Sequence, residues 1–241
     1  MWWQGEENAP AIVKLCLASI RKHCGSHKFI LITKDNIQEY LDLPEHIISK
    51  VNAGYISFTH LSDIVRMNLL TKYGGLWIDS TMFAADDLPK EIFATEYYTI
   101  KYIHAKNTAF PKCRWTSFLF AARNRNSILT SFISEMFAEY LKTHNRFIDY
   151  FLLDKLILIA FNTFQNFHDA WRNIPYNNPE WSAFFIHCFS ENEEWNEEVY
   201  ADLRSSTAVF KTSYKQKYET KTPSGKQTFY GHLLSEYGIA E

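Results

Sequence analysis

The apolar positions of this chain fall into alternating helix-like and strand-like runs. From Ala11 to Cys24, Ile12, Val13, Cys16, Leu17 and Ile20 recur at helical spacing, Lys14, Arg21 and Lys22 fill the other side, and Gly25 follows. That pattern predicts an amphipathic helix over 11–24. Lys28-Phe29-Ile30-Leu31-Ile32-Thr33 is a continuous apolar run, as in a strand buried on both faces of a parallel sheet. Pro44 interrupts the next polar stretch, and a helix is predicted over 59–73, stopped by Gly74-Gly75 and followed at once by the strand Leu76-Trp77-Ile78. Segments 97–103 and 115–122, rich in aromatic and branched residues, read as strands. Helices are predicted over 127–142, with Asn126 as cap, and over 146–164. The succession predicts one α/β domain over 1–241, with a doubly wound, mostly parallel, Rossmann-like sheet flanked by helices.

Within this frame one stretch concentrates chemistry. Asp63 and Arg66 are three apart, so they share a helix face. Asp79 follows the strand 76–78, and in open α/β sheets ligands bind outside the carboxyl ends of strands. Each piece alone has an ordinary structural explanation: a surface ion pair, a helix C-cap, a turn residue. Their order within residues 62–81 marks a site.

Ser62-Asp63-Ile64-Val65-Arg66, with Tyr73-Gly74-Gly75-Leu76-Trp77-Ile78-Asp79-Ser80-Thr81, resembles the sugar-transfer core of the capsular polysaccharide synthesis proteins. Relatives of that group are the family 32 glycosyltransferases and the large clostridial glucosylating toxins. The opening Trp2-Trp3-Gln4-Gly5-Glu6-Glu7-Asn8-Ala9-Pro10 also resembles the capsule branch. The resemblance implies a GT-A-type glycosyltransferase with a nucleotide-sugar-binding half over 1–90. Residues 91–241 would then form an acceptor-side half and a C-terminal donor loop.

It also implies roles. Asp63 and Arg66 would read the donor sugar, Asp79 would meet ribose or metal, and Trp2, Trp3, Gln4, Ser62 and Ser80 would contact the donor, with Trp3 against the base. A divalent metal, Mn²⁺ or Mg²⁺, would be held by an Asp-x-Asp pair; here the second acid is replaced by Thr81, so that either the metal is held more weakly or another residue completes the shell, His232 being one candidate. Phe210-Lys211-Thr212-Ser213-Tyr214-Lys215 resembles the segment after the family's last core element, which puts Ser213 and Lys215 near the diphosphate. Lys217, Lys221, Pro223, Ser224 and Gly225 read as a loop able to close over a donor. Asp149 and Asp154 resemble an Asp-Tyr-Phe…Asp pattern, one of them facing a sugar.

Composition narrows the class. At 241 residues the chain can bury one substantial core, and its net charge of -2 is no footprint for nucleic acid. The aromatic content of 17% suits stacking on sugars and bases as well as a core. Cys16, Cys24, Cys113 and Cys188 form no metal-type or disulfide-type frame, which points to a reducing, cytoplasmic setting. No signal peptide is read, and the apolar run 150–161, broken by Asp154-Lys155, is too short to span a bilayer. Any membrane association, at the inner face, would be peripheral. Met1 stands directly before Trp2-Trp3, so the first strand is short or the start is trimmed.

The expected activity is transfer of a sugar from a nucleotide-sugar, a UDP-sugar by preference, to a saccharide or lipid-linked saccharide in bacterial surface polysaccharide synthesis, with retention at the anomeric carbon. Two alternatives stand beside it. A non-catalytic sugar-nucleotide or glycan-binding relative is suggested by Thr81. A glycoside hydrolase would also use two carboxylates.

Overall fold

The computed structural model describes residues 1–103, 115–179, 188–189 and 191–240; Cys113 lies outside the described residues. In chain order the helices are α1 (Ala11–His23), α2 (Ile37–Tyr40), α3 (Glu45–Asn52), α4 (Phe58–Tyr73), α5 (Glu91–Ala94), α6 (Ile128–Thr143), α7 (Leu152–Thr163), α8 (Gln165–Arg172), α9 (Glu197–Ser206) and α10 (Phe229–Glu236). The strands are β1 (Gly75–Ile78), β2 (Met82–Ala84), β3 (Tyr97–Thr99), β4 (Tyr102–Ile103), β5 (Leu119–Ala122), β6 (Asn178–Pro179) and β7 (Val209–Lys211).

Helix α4 organises the rest. The Ser57 hydroxyl accepts from the His60 amide at its start, and Gly74 ends it at φ 68. A Cβ at Gly74 would lie 2.8 Å from the Arg123 carbonyl oxygen, so both the left-handed backbone and the close approach of β5's exit require glycine here. The chain then enters β1, whose partner is β5, and β5 also pairs with β3.

Alternation along this sheet divides the core into two layers. Trp77, Tyr97, Phe120 and Ala122 face a cluster containing Ile64, Met67, Phe137, Ile157 and Trp171 of α4, α6, α7 and α8. Tyr98, Leu119 and Ala121 face the opposite side with Ile20 of α1, Met82, Ala84 and Val209. A third cluster joins α1, α9 and α10 through Val13, Leu17, Tyr200, Phe229 and Leu233. At roughly 1.5–3 kcal/mol per fully buried large apolar side chain, these layers, rather than the short helix turns, hold the fold.

The mixed α/β class agrees with expectation, but the sheet does not. β1–β5 and β3–β5 are antiparallel, as is β2–β7, while β4–β6 is a parallel pair of two residues each. A mostly parallel Rossmann-like sheet is therefore not what the described strands form. Apolar runs have the same period in either direction, so the pattern carried no strand sense. The expected strand 28–33 is also extended but unpaired as a ladder: two backbone bonds, Trp2 N–H to Ile32 O and Lys34 N–H to Trp3 O, tie it to the chain start. On its other side a groove of about 580 Å³, lined by Leu17, Phe29, Leu31, Leu70, Leu76 and Trp77 among others, separates it from β1.

Smaller differences have local causes. Ser127, not Asn126, caps α6 by accepting from the Thr130 amide, because Asn126 adopts φ 51 in the turn before it. The helix expected over 146–164 starts at Leu152, since the Asp149 carboxylate takes the Phe151 amide and holds a turn instead. The expected strands 97–103 and 115–122 contract to β3, β4 and β5. No helix among the described residues is long and apolar enough to cross a membrane.

Candidate functional site

The turn from α4 through Gly74-Gly75 into β1 brings Asp63, Arg66 and Asp79 together. Arg66 Nη1 donates to Asp63 Oδ1 at 2.7 Å and Nη2 to Asp79 Oδ1 at 3.2 Å. Asp63 and Arg66 are 8% and 3% exposed, so this is a buried pair and not the surface pair that the spacing alone could also have meant. Trp77, two residues before Asp79 on β1, donates Nε1–H to the same Oδ1 at 2.8 Å. Its ring lies 5.1 Å below the Arg66 guanidinium.

A cation arrives from the far end of the chain. The β2–β7 register sets Met82 opposite Lys211, and beside it Thr81 O accepts from both the Thr212 amide and the Thr212 hydroxyl. Lys211 Nζ thereby reaches Asp79 Oδ2 at 3.3 Å and donates to Thr81 Oγ1. Lys211 stands in the segment singled out by resemblance, but the residues expected to act there were Ser213 and Lys215. The structure puts Lys215 on the surface, its amide bonded to Ser213 Oγ. What would have found Lys211 is the alternation of β7, not visible until its pairing with β2 is known.

A third carboxylate adjoins the site. Asp154 on α7 is 7% exposed and accepts Trp115 Nε1–H at 3.0 Å. It is close enough to Arg66 and Asp63 for each to feel its charge. Asp149 is turned away, in a surface pair with Lys155 at 2.7 Å.

The charges set the titration of the group. Burial pushes the Asp63 carboxyl up to about 6 in spite of the Arg66 charge beside it. Burial likewise raises Asp154, partly offset by the Trp115 bond. Burial also opposes ionisation of Asp79, but Lys211, then Arg66 and the Trp77 donor, outweigh it and hold that carboxyl below its ordinary range. Asp79 is thus the fixed anion of the site, and Asp63 is the carboxyl of the site that burial holds well above the ordinary carboxylate range.

Of the aromatic residues at the chain start, Trp3 packs 6.2 Å from Phe58 at the N-terminus of α4, and Trp2 meets Tyr214 edge-on at 5.3 Å. Trp2 Nε1 is buried without a hydrogen-bond partner. Gln4 is exposed and engages Asn8 only through its backbone carbonyl. Ser62 and Ser80 flank Asp63 and Asp79 in sequence, Ser80 buried and Ser62 half-buried.

The donor set can be tested against a divalent cation, which takes six or more hard oxygens. Both Asp79 oxygens already accept from cations or Trp77, and Thr81 Oγ1 accepts from Lys211. His232 on α10 is stacked on Trp195 at 3.8 Å. Among the described residues, three metal-type ligand atoms come within 4.8 Å of one another at His23, Asp86 and Asp87, a surface group that includes neither Asp79 nor His232. The orphaned polar atom of the site is a buried donor, Arg66 Nε, and a buried donor asks for an anion. The residues present do not fit a divalent metal.

The family model for capsular polysaccharide synthesis proteins matches residues 1–233. Searches among curated proteins and among solved structures return no match. The matched span contains the whole constellation of Asp63, Arg66, Asp79 and Lys211, and the chain belongs to the family of capsular polysaccharide synthesis proteins.

Proposed function

We propose that this chain transfers a sugar from a nucleoside-diphosphate sugar to a saccharide or lipid-linked saccharide during capsule assembly. The observation that carries the reading is the meeting of Asp63, Arg66, Asp79 and Lys211 at the end of β1. A buried carboxylate beside a fixed guanidinium is suited to sugar hydroxyls, one accepting and the other donating. Two cations at the same place suit a leaving diphosphate.

In the transfer, the bond from the anomeric carbon to the β-phosphate oxygen breaks and its electron pair stays on the diphosphate. A new bond forms to the acceptor oxygen, whose proton is lost to water or a base. Charge growing on the diphosphate would be stabilised by a donor already in place, Lys211, which Asp79 and Thr81 hold so that it needs no reorganisation as the charge forms, with the sealed Arg66 guanidinium adding its charge from behind Asp79. Asp63 and Asp154 would hold the sugar, and Trp3 with Phe58 would present rings to the nucleotide base. Transfer with retention belongs to the same reading. Placement inside the cell, with at most a peripheral hold on the membrane, follows from a cytoplasmic nucleotide-sugar supply.

The test is nucleotide release from UDP- and GDP-sugars, with CMP-sugars, which carry no diphosphate, as the control, with and without an oligosaccharide acceptor, by wild type and Asp79→Asn. Release that needs Asp79 supports a transferase and identifies its donor. Unchanged release by Asp79→Asn refutes the assignment, and nucleotide binding with no release under any acceptor favours a non-catalytic binding subunit.

A further inference from the structure

We infer that the Lys211 ammonium is this site's own cation for the donor diphosphate, so that the donor is bound without a divalent metal. The inference rests on the transferase reading above and adds to it which group neutralises the diphosphate. An Asp-x-Asp pair supplies two carboxylates to one cation. Here the second acid is Thr81, a neutral acceptor, and the group lying against Asp79 Oδ2 and Thr81 Oγ1 is Lys211. The substitution in one segment and the cation from another, 132 residues away against Asp79, match in place and in charge.

The hydrogen-bond count agrees. An ammonium has three N–H donors; Asp79 and Thr81 take two, and although the Phe118 ring lies 5.1 Å from the same nitrogen, no third oxygen among the described residues is bonded to it, so a phosphate oxygen can be. Arg66 spends Nη1 on Asp63 and Nη2 on Asp79 and keeps a buried Nε without a partner. Both unspent donors call for an anion. The Lys211 side chain is about a quarter exposed, whereas Arg66 is nearly sealed, so Lys211 is the one that a ligand can reach from solvent. Asp79 then keeps the ammonium in place, and a metal ion would have to displace it from both oxygens it now holds.

The experiment is calorimetric titration of UDP and GDP into the full chain, once in EDTA and once in Mn²⁺, on wild type, Lys211→Ala, Lys211→Arg and the double variant Thr81→Asp/Lys211→Ala. Thermal unfolding is recorded for each. The expected result is binding of a diphosphate to wild type within about twofold in the two buffers, at least tenfold weaker binding by Lys211→Ala, and partial retention by Lys211→Arg. The double variant should bind only in Mn²⁺. Binding by wild type that falls tenfold or more in EDTA overturns the inference while leaving the transferase reading in place, and so does a folded Lys211→Ala that binds like wild type. The comparison of buffers on wild type decides the matter even if the variants fail to fold. No binding of either diphosphate in either buffer overturns the transferase reading, and the inference with it.

Discussion

Arg66 is shared between two carboxylates on different elements, Asp63 one helical turn before it at 2.7 Å and Asp79 beyond the end of β1 at 3.2 Å. Through it, α4 and β1 are joined by charge at the point where the sheet ends. Replacing Arg66 by Ala should destabilise the chain by about 3–5 kcal/mol, because it strands a buried Asp63 without a partner. Urea denaturation measures this; a shift under about 1 kcal/mol would mean that the pair is not buried as described.

The acid limb of the pH profile should report Asp63. Its carboxyl titrates at about 6, so turnover should fall as pH drops through that value, and Asp63→Asn should lose the step along with most of its activity. For stability the sign differs between the two acids. The raised Asp63 lets the folded chain hold a proton longer than the unfolded one, so its contribution declines as pH rises from the ordinary carboxyl range to about 6 and is constant above. The lowered Asp79 contributes stability above the ordinary range and loses it as pH falls through its depressed value. Unfolding free energies of Asp63→Asn and Asp79→Asn across pH 3–8 separate the two.

Asp154 and Asp149 make a matched pair of controls. Asp154→Asn should reduce turnover at least about tenfold while leaving thermal stability close to wild type, since the amide oxygen can still accept from Trp115 and only the buried charge is lost. Asp149→Asn should change activity by less than about twofold, its partner being the exposed Lys155. Equal losses in the two variants would show that the difference in burial has no bearing on the reaction.

Gly74→Ala should cost about 1–3 kcal/mol or more and weaken turnover as well. The new methyl would meet the Arg123 carbonyl at 2.8 Å on a backbone at φ 68, so relief requires β1 to shift, and Asp79 shifts with it. A denaturant midpoint and a turnover number from the same preparation would show both effects; an unchanged midpoint would contradict the close approach.

Local patterns were legible where one segment decides the outcome. The helix α1, the stop at Gly74 and the strand Leu76–Ile78 follow from periodicity and from glycine's access to positive φ, and Asp63, Arg66 and Asp79 lie close together because a helix face and a short turn fix them. Strand sense was not legible, since Leu119–Ala122 is equally apolar read in either direction. Nor was Lys211. Its position depends on the Met82–Lys211 register between segments far apart in sequence, and from the sequence alone Ser213 and Lys215 looked equally basic or hydroxylic. Asp149 and Asp154 could be separated only once the turn before Leu152 was known.

The groove beside β1 bears on the same carboxylate. Asp79 N–H bonds to Phe118 O, so by alternation the amides of Leu76 and Ile78 point the other way, into the groove. Those amides should exchange with deuterium faster than Trp77's, although all lie in one strand. The strand that leads to Asp79 is thus held by backbone bonds from the β5 side alone among the described strands.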